Sequence, residues 1–200
     1  MPATSPRPTQ RIDGRTARSE RTRNAIVEAH VALIVSGDLR PTADRIAKQA
    51  GVSLRALWSH FADMEALFAA SGERILEQRD EAHEPIPTDL PLKARIDAYC
   101  HQRARLLEQV APAAKASSLK EPFSPALQSY RRSHTDRVYD ELKELFAREI
   151  GDDETLLAAL TAVSMWPTWG TLRDAMGMDT EAAREVLTCT ITALLTAPRG

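Results

Sequence analysis

Apolar residues recur at three- and four-residue spacings along most of the chain, and no stretch alternates as a half-buried strand does, so the pattern predicts an all-α fold of about nine helices. The two shortest repeats are the most regular. Ala43, Ile46, Ala47 and Ala50 fall on one helical face, and Leu54, Leu57 and Phe61 on another. Between them, Gly51 suits the backbone values that end one helix and Ser53 suits the cap of the next. Two short helices at a steep angle cannot bury both stripes unaided. The preceding segment supplies cover through Ala25, Ile26, Ala29, Leu33 and Ile34, with Ser19 or Thr22 as caps. Residues 19–62 therefore read as a helix-turn-helix, although an ordinary helical hairpin around a glycine carries the same pattern.

Further along, residues 63–83 predict a connecting helix on Leu67, Phe68, Ser71, Ile75 and Gln78, and the proline-rich run from Glu84 to Pro91 predicts a linker. The body, residues 84–200, opens with a helix carrying Ile96, Tyr99, Arg103, Leu106 and Val110, followed by short helical pieces from Pro112 to Pro125. A long helix aligns Leu127, Tyr130, His134, Val138, Leu142 and Leu145 and ends before Gly151. The next spans about 153–173 with an interruption at Pro167, whose freed carbonyls would face a ligand, and the last spans 180–196.

Charge sharpens the first part of the picture. The chain has a net charge of −2, yet Met1 to His60 holds 10 Lys+Arg against 5 Asp+Glu, and the remainder 16 against 23. A basic head beside a helix-turn-helix is the electrostatic footprint of phosphate binding, favouring DNA over the plain hairpin. Residues 1–18, with Arg7, Arg11, Arg15 and Arg18 among Pro, Thr and Ser, read as a disordered basic arm, either a solvated tail or an arm that lies along the DNA backbone or enters the minor groove when DNA is present. No segment predicts a membrane span or a secretory signal. Cys100 and Cys189 are too few and too distant for a zinc site or disulfide framework; both are expected as buried free thiols in a reducing cytoplasm.

The stretch from Thr22 to Phe68 resembles the TetR family of one-component transcriptional regulators. The likeness is carried by Thr42, Ile46-Ala47, Ala50-Gly51-Val52-Ser53, Leu57-Trp58-Ser59-His60-Phe61 and Glu65-Ala66-Leu67. Trp169 to Asp174 with Gly177-Met178 is similar to many C-termini of that family. Two positions depart from it: Trp58 stands where Tyr is usual, keeping a ring and an N–H donor, and Met64 stands where Lys is usual, removing a charge from the start of the fourth helix. The resemblance implies a homodimeric repressor that places two recognition helices in successive major grooves of a palindromic operator and is released by a small molecule.

Leu57 and Phe61 point to the core, leaving Leu54, Arg55, Ala56, Trp58, Ser59 and His60 toward the groove. Arg55 can bond guanine O6 and N7, Leu54 or Ala56 can pack on a thymine methyl, and Thr42 can offer its hydroxyl to phosphate. In the body, Tyr99, Phe123, Tyr130, Met165, Trp166 and Trp169, with Arg103 and His134, describe either a pocket for a mostly apolar or aromatic effector or an ordinary core. The last helix has two apolar faces: Ala182, Val186, Cys189 and Ala193, then Ala183, Leu187, Thr190 and Leu194. With Leu156, Leu160 and Val163 it is expected to form a four-helix dimer interface. No cofactor or metal is expected, since no metal-ligand or phosphate-loop motif occurs. The alternatives are an all-α enzyme tethered to DNA and a helical DNA- or partner-binding protein without ligand response.

Overall fold

The computed structural model describes residues 14–81 and 83–197, and no strand occurs among them. Helix α1 (Gly14–Val35) buries Ile26, Val27, His30, Val31 and Ile34. It starts before the expected caps: Thr22 donates its hydroxyl to the Arg18 carbonyl at 3.0 Å, satisfying itself inside the helix instead of ending it. Residues 14–18, expected as part of the disordered arm, are thus the first turn of α1, and the remainder of that expected arm lies outside the described residues. Gly37, at φ 97°, closes α1 as the Gly37 and Asp38 N–H groups donate to Ile34 and Leu33.

Helices α2 (Ala43–Gln49) and α3 (Leu54–His60) are capped by the side chains of Thr42 and Ser53, with Gly51 at φ 69° between them. Their inward residues close one small core: Ile26, Ile46, Leu57 and Leu67 from the helix that follows are fully buried, with Phe61 beside them. Each such side chain contributes about 1.5–3 kcal/mol on burial.

Helix α4 (Met64–Glu81) begins at Asp63, whose carboxylate accepts from the Ala66 N–H at 2.8 Å. Helix α5 (Leu92–Ser118) is one rod of 27 residues and not the short pieces expected around Pro112. A single proline removes one hydrogen bond, and packing of α5 against α1, α10 and the 166–170 segment holds the helix through it. Helices α6 (Pro125–Leu145), α7 (Ala147–Ile150) and α8 (Glu154–Val163) follow. The expected helix over 153–173 is divided: the backbone extends at Met165, α9 (Trp166–Gly170) carries Pro167 in its first turn, and a π-helical turn (Thr171–Ala175) continues it. Helix α10 (Thr180–Thr196) closes the bundle by packing on α5 and α8.

The body core centres on Tyr99, Leu107, Leu142, Phe146, Leu157, Leu160, Trp169 and Ile191. Cys100 is buried there, but Cys189 is exposed, because α10 turns Ala183, Leu187, Ile191 and Leu195 inward instead. Head and body meet mainly where α4 and α6 run parallel. Glu65 accepts from the Ser124 hydroxyl at 2.9 Å and the Ala126 N–H at 3.2 Å; Gly72 lies under Tyr130; Arg79 donates to Glu141 at 2.6 Å. No helix among the described residues is long and apolar enough to cross a membrane.

Candidate nucleic-acid interface and interior cavity

The outward face of α3 follows from its inward one. With Leu57 buried, Leu54 and Trp58 are each 40 % exposed, Arg55 and Ser59 are exposed, and Ala56 and His60 are half-buried. Leaving a Leu and a Trp uncovered on a seven-residue helix costs apolar burial that nothing within the chain returns. Arg55 takes part in no ion pair or hydrogen bond among the described residues, whereas Arg45 on α2 pairs with Asp38 at 2.8 Å. Ser59 donates to the Ala56 carbonyl at 2.7 Å, which leaves its oxygen able to accept. Thr42 accepts from the Arg45 N–H at 3.3 Å while remaining exposed at the start of α2. Arg40, Arg45, Lys48 and Arg55 are exposed basic residues of the head.

Within the body, Tyr130, His134, Met165 and Trp166 come together around a nearly filled cavity of about 40 Å³, lined also by Leu107 and Val110. The Tyr130 and His134 rings stack at 6.3 Å. Tyr130 also walls an apolar cleft between head and body, opposite His30 and Phe68. A Cβ added at Gly72 would stand 2.9 Å from the Tyr130 ring, so the glycine lets α4 and α6 approach there.

Four residues expected in the pocket do not line this 40 Å³ cavity. Phe123 is 87 % exposed on a 3₁₀ turn (Glu121–Phe123): Ser124 is drawn inward by Glu65 and Glu121 is held by Arg131, which turns the intervening ring outward. Trp169 is a core residue whose Nε1 donates to Glu108 at 2.8 Å, a carboxylate shared with Arg173. Tyr99 is wholly buried against Phe146. Arg103 is buried behind Met165 and donates from Nε to the Ser164 carbonyl at 2.6 Å. That carbonyl, freed by the break in the helix, is occupied by Arg103 and not left facing a ligand.

Two buried histidines set a pH response. Burial, reinforced by Lys120 and opposed by Asp38, lowers His30 to about 4; its Nδ1 lies 2.8 Å from Ser71 Oγ. Burial, then the positive charges of Arg103 and Arg79, lowers His134 to about 3. Both are neutral in the native state, whereas the unfolded chain takes up protons below about pH 6.5. Their stabilisation is therefore complete above that value and declines as pH falls toward the folded values. Each should reduce stability by about 2 kcal/mol between pH 7 and pH 5. Urea unfolding at the two pH values checks this, and His30→Gln should remove about half of the difference.

Residues 26–71 match the family model described as bacterial regulatory proteins, tetR family. The head of the chain is similar to that family. Solved structures similar to this chain include a TetR transcription regulator from Haloarcula marismortui, at 21 % identity, TM-score 0.67, covering 88 % of this chain and 98 % of that one. A proposed tetR-family transcriptional regulator from Mesorhizobium loti is similar at 16 % identity, TM-score 0.65, with 89 % and 96 % covered. The multidrug binding protein EbrR, complexed with imidazole, is similar at 20 % identity, TM-score 0.59, with 88 % and 96 % covered. No curated protein matches the chain.

The outer face of the body differs from expectation on α8. Leu156 and Leu160 are buried in the protein's own core, because α8 packs on α6 and α10 through them. Its outward residues are Ala158 and Ala162, with Ala159 and Val163 half-buried. On α10, Ala182 and Val186 are half-buried and Cys189 and Ala193 exposed, while Ala183 and Leu187 from the second expected face pack inward. Together these outward residues form a surface of small and apolar side chains. Sequence reasoning missed Glu65 and Gly72, whose roles depend on partners 59 or so positions away. No group of His, Cys, Asp and Glu able to hold a metal ion occurs among the described residues.

Proposed function

We propose that this tetR-family DNA-binding regulator is a ligand-responsive repressor, which binds a palindromic operator as a homodimer and is released by a small, mostly apolar or aromatic effector. The observation that carries this reading is the pairing of an unsatisfied recognition face, Leu54, Arg55 and Trp58, with a body cavity whose wall, Tyr130, rests on the helix leading to that face. Arg55 bonds guanine, Trp58, Ser59 and Thr42 meet phosphate, and Leu54, Ala56 and His60 pack along the groove. An occupant of the cavity displaces Tyr130 and through Gly72 shifts α4, which changes the separation of the two recognition helices from the 34–36 Å that successive grooves require.

The test is binding of the purified chain to duplexes tiled across its own promoter. Arg55→Ala should cost about 1–3 kcal/mol and relax preference at one base pair in each half-site. A uniform loss on every sequence would make Arg55 a phosphate contact, and no binding to any promoter duplex would sink the reading.

A further inference from the structure

Resting on the effector reading above, we propose that the effector is an organic acid whose carboxylate binds Arg103 and His134 and whose apolar or aromatic body enters the cavity between Tyr130 and Trp166. Arg103 is 2 % exposed and carries its charge without a carboxylate partner. Its neighbours are not so placed: Arg79 bonds Glu141 at 2.6 Å, Arg137 bonds Asp80 at 3.1 Å and Arg131 bonds Glu121. Arg103 has only the Ser164 carbonyl at 2.6 Å and the Met165 sulfur at 3.9 Å, and its Nη1 is enclosed with no partner at all. A buried charge in that condition is expensive unless an anion joins it.

The groups around it are deficient in the same sense. His134 Nδ1, Tyr99 Oη and Ser164 Oγ are buried without a well-formed hydrogen bond. Tyr99 stands one turn before Arg103 on α5, Ser164 is the residue Arg103 already holds, and Arg103 is the largest charge acting on His134. A carboxylate offers about four acceptor positions on two oxygens, which suits a guanidinium flanked by hydroxyls and an imidazole N–H. The Arg103 guanidinium repels a metal ion or an amine at that seat.

Leu107, one turn beyond Arg103, begins the apolar wall that continues through Val110, Met165 and Trp166. Only about 40 Å³ is open there, so an organic acid enters by displacing Tyr130 and Trp166. That displacement is what makes binding sensitive to the position of α4. Arg103 also forms the floor of an open cleft of about 340 Å³ beside Arg79 and Gln102, which provides a way in from solvent.

The experiment compares benzoate, phenylacetate, 1-naphthoate and octanoate with their amides, by thermal shift and calorimetry on the full chain. The expected result is that at least one acid binds about tenfold or more tightly than its amide, from charge-assisted hydrogen bonds. That acid should also weaken the promoter complex. Arg103→Met should abolish the preference for acid, so that acid and amide bind alike. Should that variant not fold, the acid-to-amide ratio in the native chain and in His134→Gln decides, with the ratio expected to fall in the latter. Equal binding of acids and amides, binding of amides alone, or a preference that survives Arg103→Met would overturn the carboxylate assignment and leave a neutral-effector regulator standing. If neither series binds nor disturbs the DNA complex, the effector reading beneath it fails as well.

Discussion

Raising the salt concentration from 50 to 200 mM should weaken promoter binding by about 10³–10⁵-fold, the loss expected for about 6–10 phosphate contacts. The charge needed is in place. The sequence up to His60 carries twice as many basic as acidic residues, and Arg40, Lys48 and Arg55 are exposed on the head. Each lysine or arginine that neutralises a phosphate releases condensed counterions, and salt opposes that release. The remainder of the chain is acidic and is repelled by DNA, which directs the duplex to the head. Anisotropy titrations at several potassium chloride concentrations give the slope. A nearly flat plot would mean that the exposed residues of α3 meet something other than a phosphate backbone.

Arginine introduced at Ala162 and Cys189 together should leave the fold intact and divide the proposed dimer. Both positions are exposed in the single chain, so the variant loses no internal packing. A charge on each side of a twofold contact built from Ala158, Ala162, Val186 and Ala193 faces its own copy and is desolvated without a partner. A chain that engages only one half-site falls from the range of specific operators, about 10⁻⁸–10⁻¹¹ M, toward that of non-specific binding, about 10⁻⁴–10⁻⁶ M. The expected loss is at least about 10³-fold. Sedimentation should report a monomer with an unchanged melting temperature. A dimer that persists in Ala162→Arg/Cys189→Arg with unaltered affinity would place the subunit contact elsewhere.

The head was legible in the amino-acid order because its decisions are local. Seven-residue helices with one apolar face leave no choice about Leu57 and Phe61, and Thr42, Gly51 and Ser53 act on backbone atoms within three residues of themselves. The body was legible only in part. Helix α8, Glu-Thr-Leu-Leu-Ala-Ala-Leu-Thr-Ala-Val, is apolar nearly all the way round, so periodicity could not say that Leu156 and Leu160 turn inward while Ala158 and Ala162 turn out. Pro112 breaks an isolated helix but not one held by neighbours on several sides. Of the aromatic cluster, Tyr130, Met165 and Trp166 gather with His134. Phe123 and Trp169 were settled by the carboxylates of Glu65, Glu121 and Glu108, whose partners lie far away in sequence or one helix turn out of phase.

Helix α4 is fastened to its parallel neighbour at both extremities, by Glu65 at one and by Arg79 and Asp80 at the other, and at its middle it offers a residue with no side chain. A beam clamped at its two supports and loaded at mid-span bows; it does not slide. In the repressor proposed here, a bulky guest pressing Tyr130 against Gly72 would therefore spend its binding energy on curvature, and the quantity delivered to DNA would be the tilt of the clamped end from which the reading head is hung.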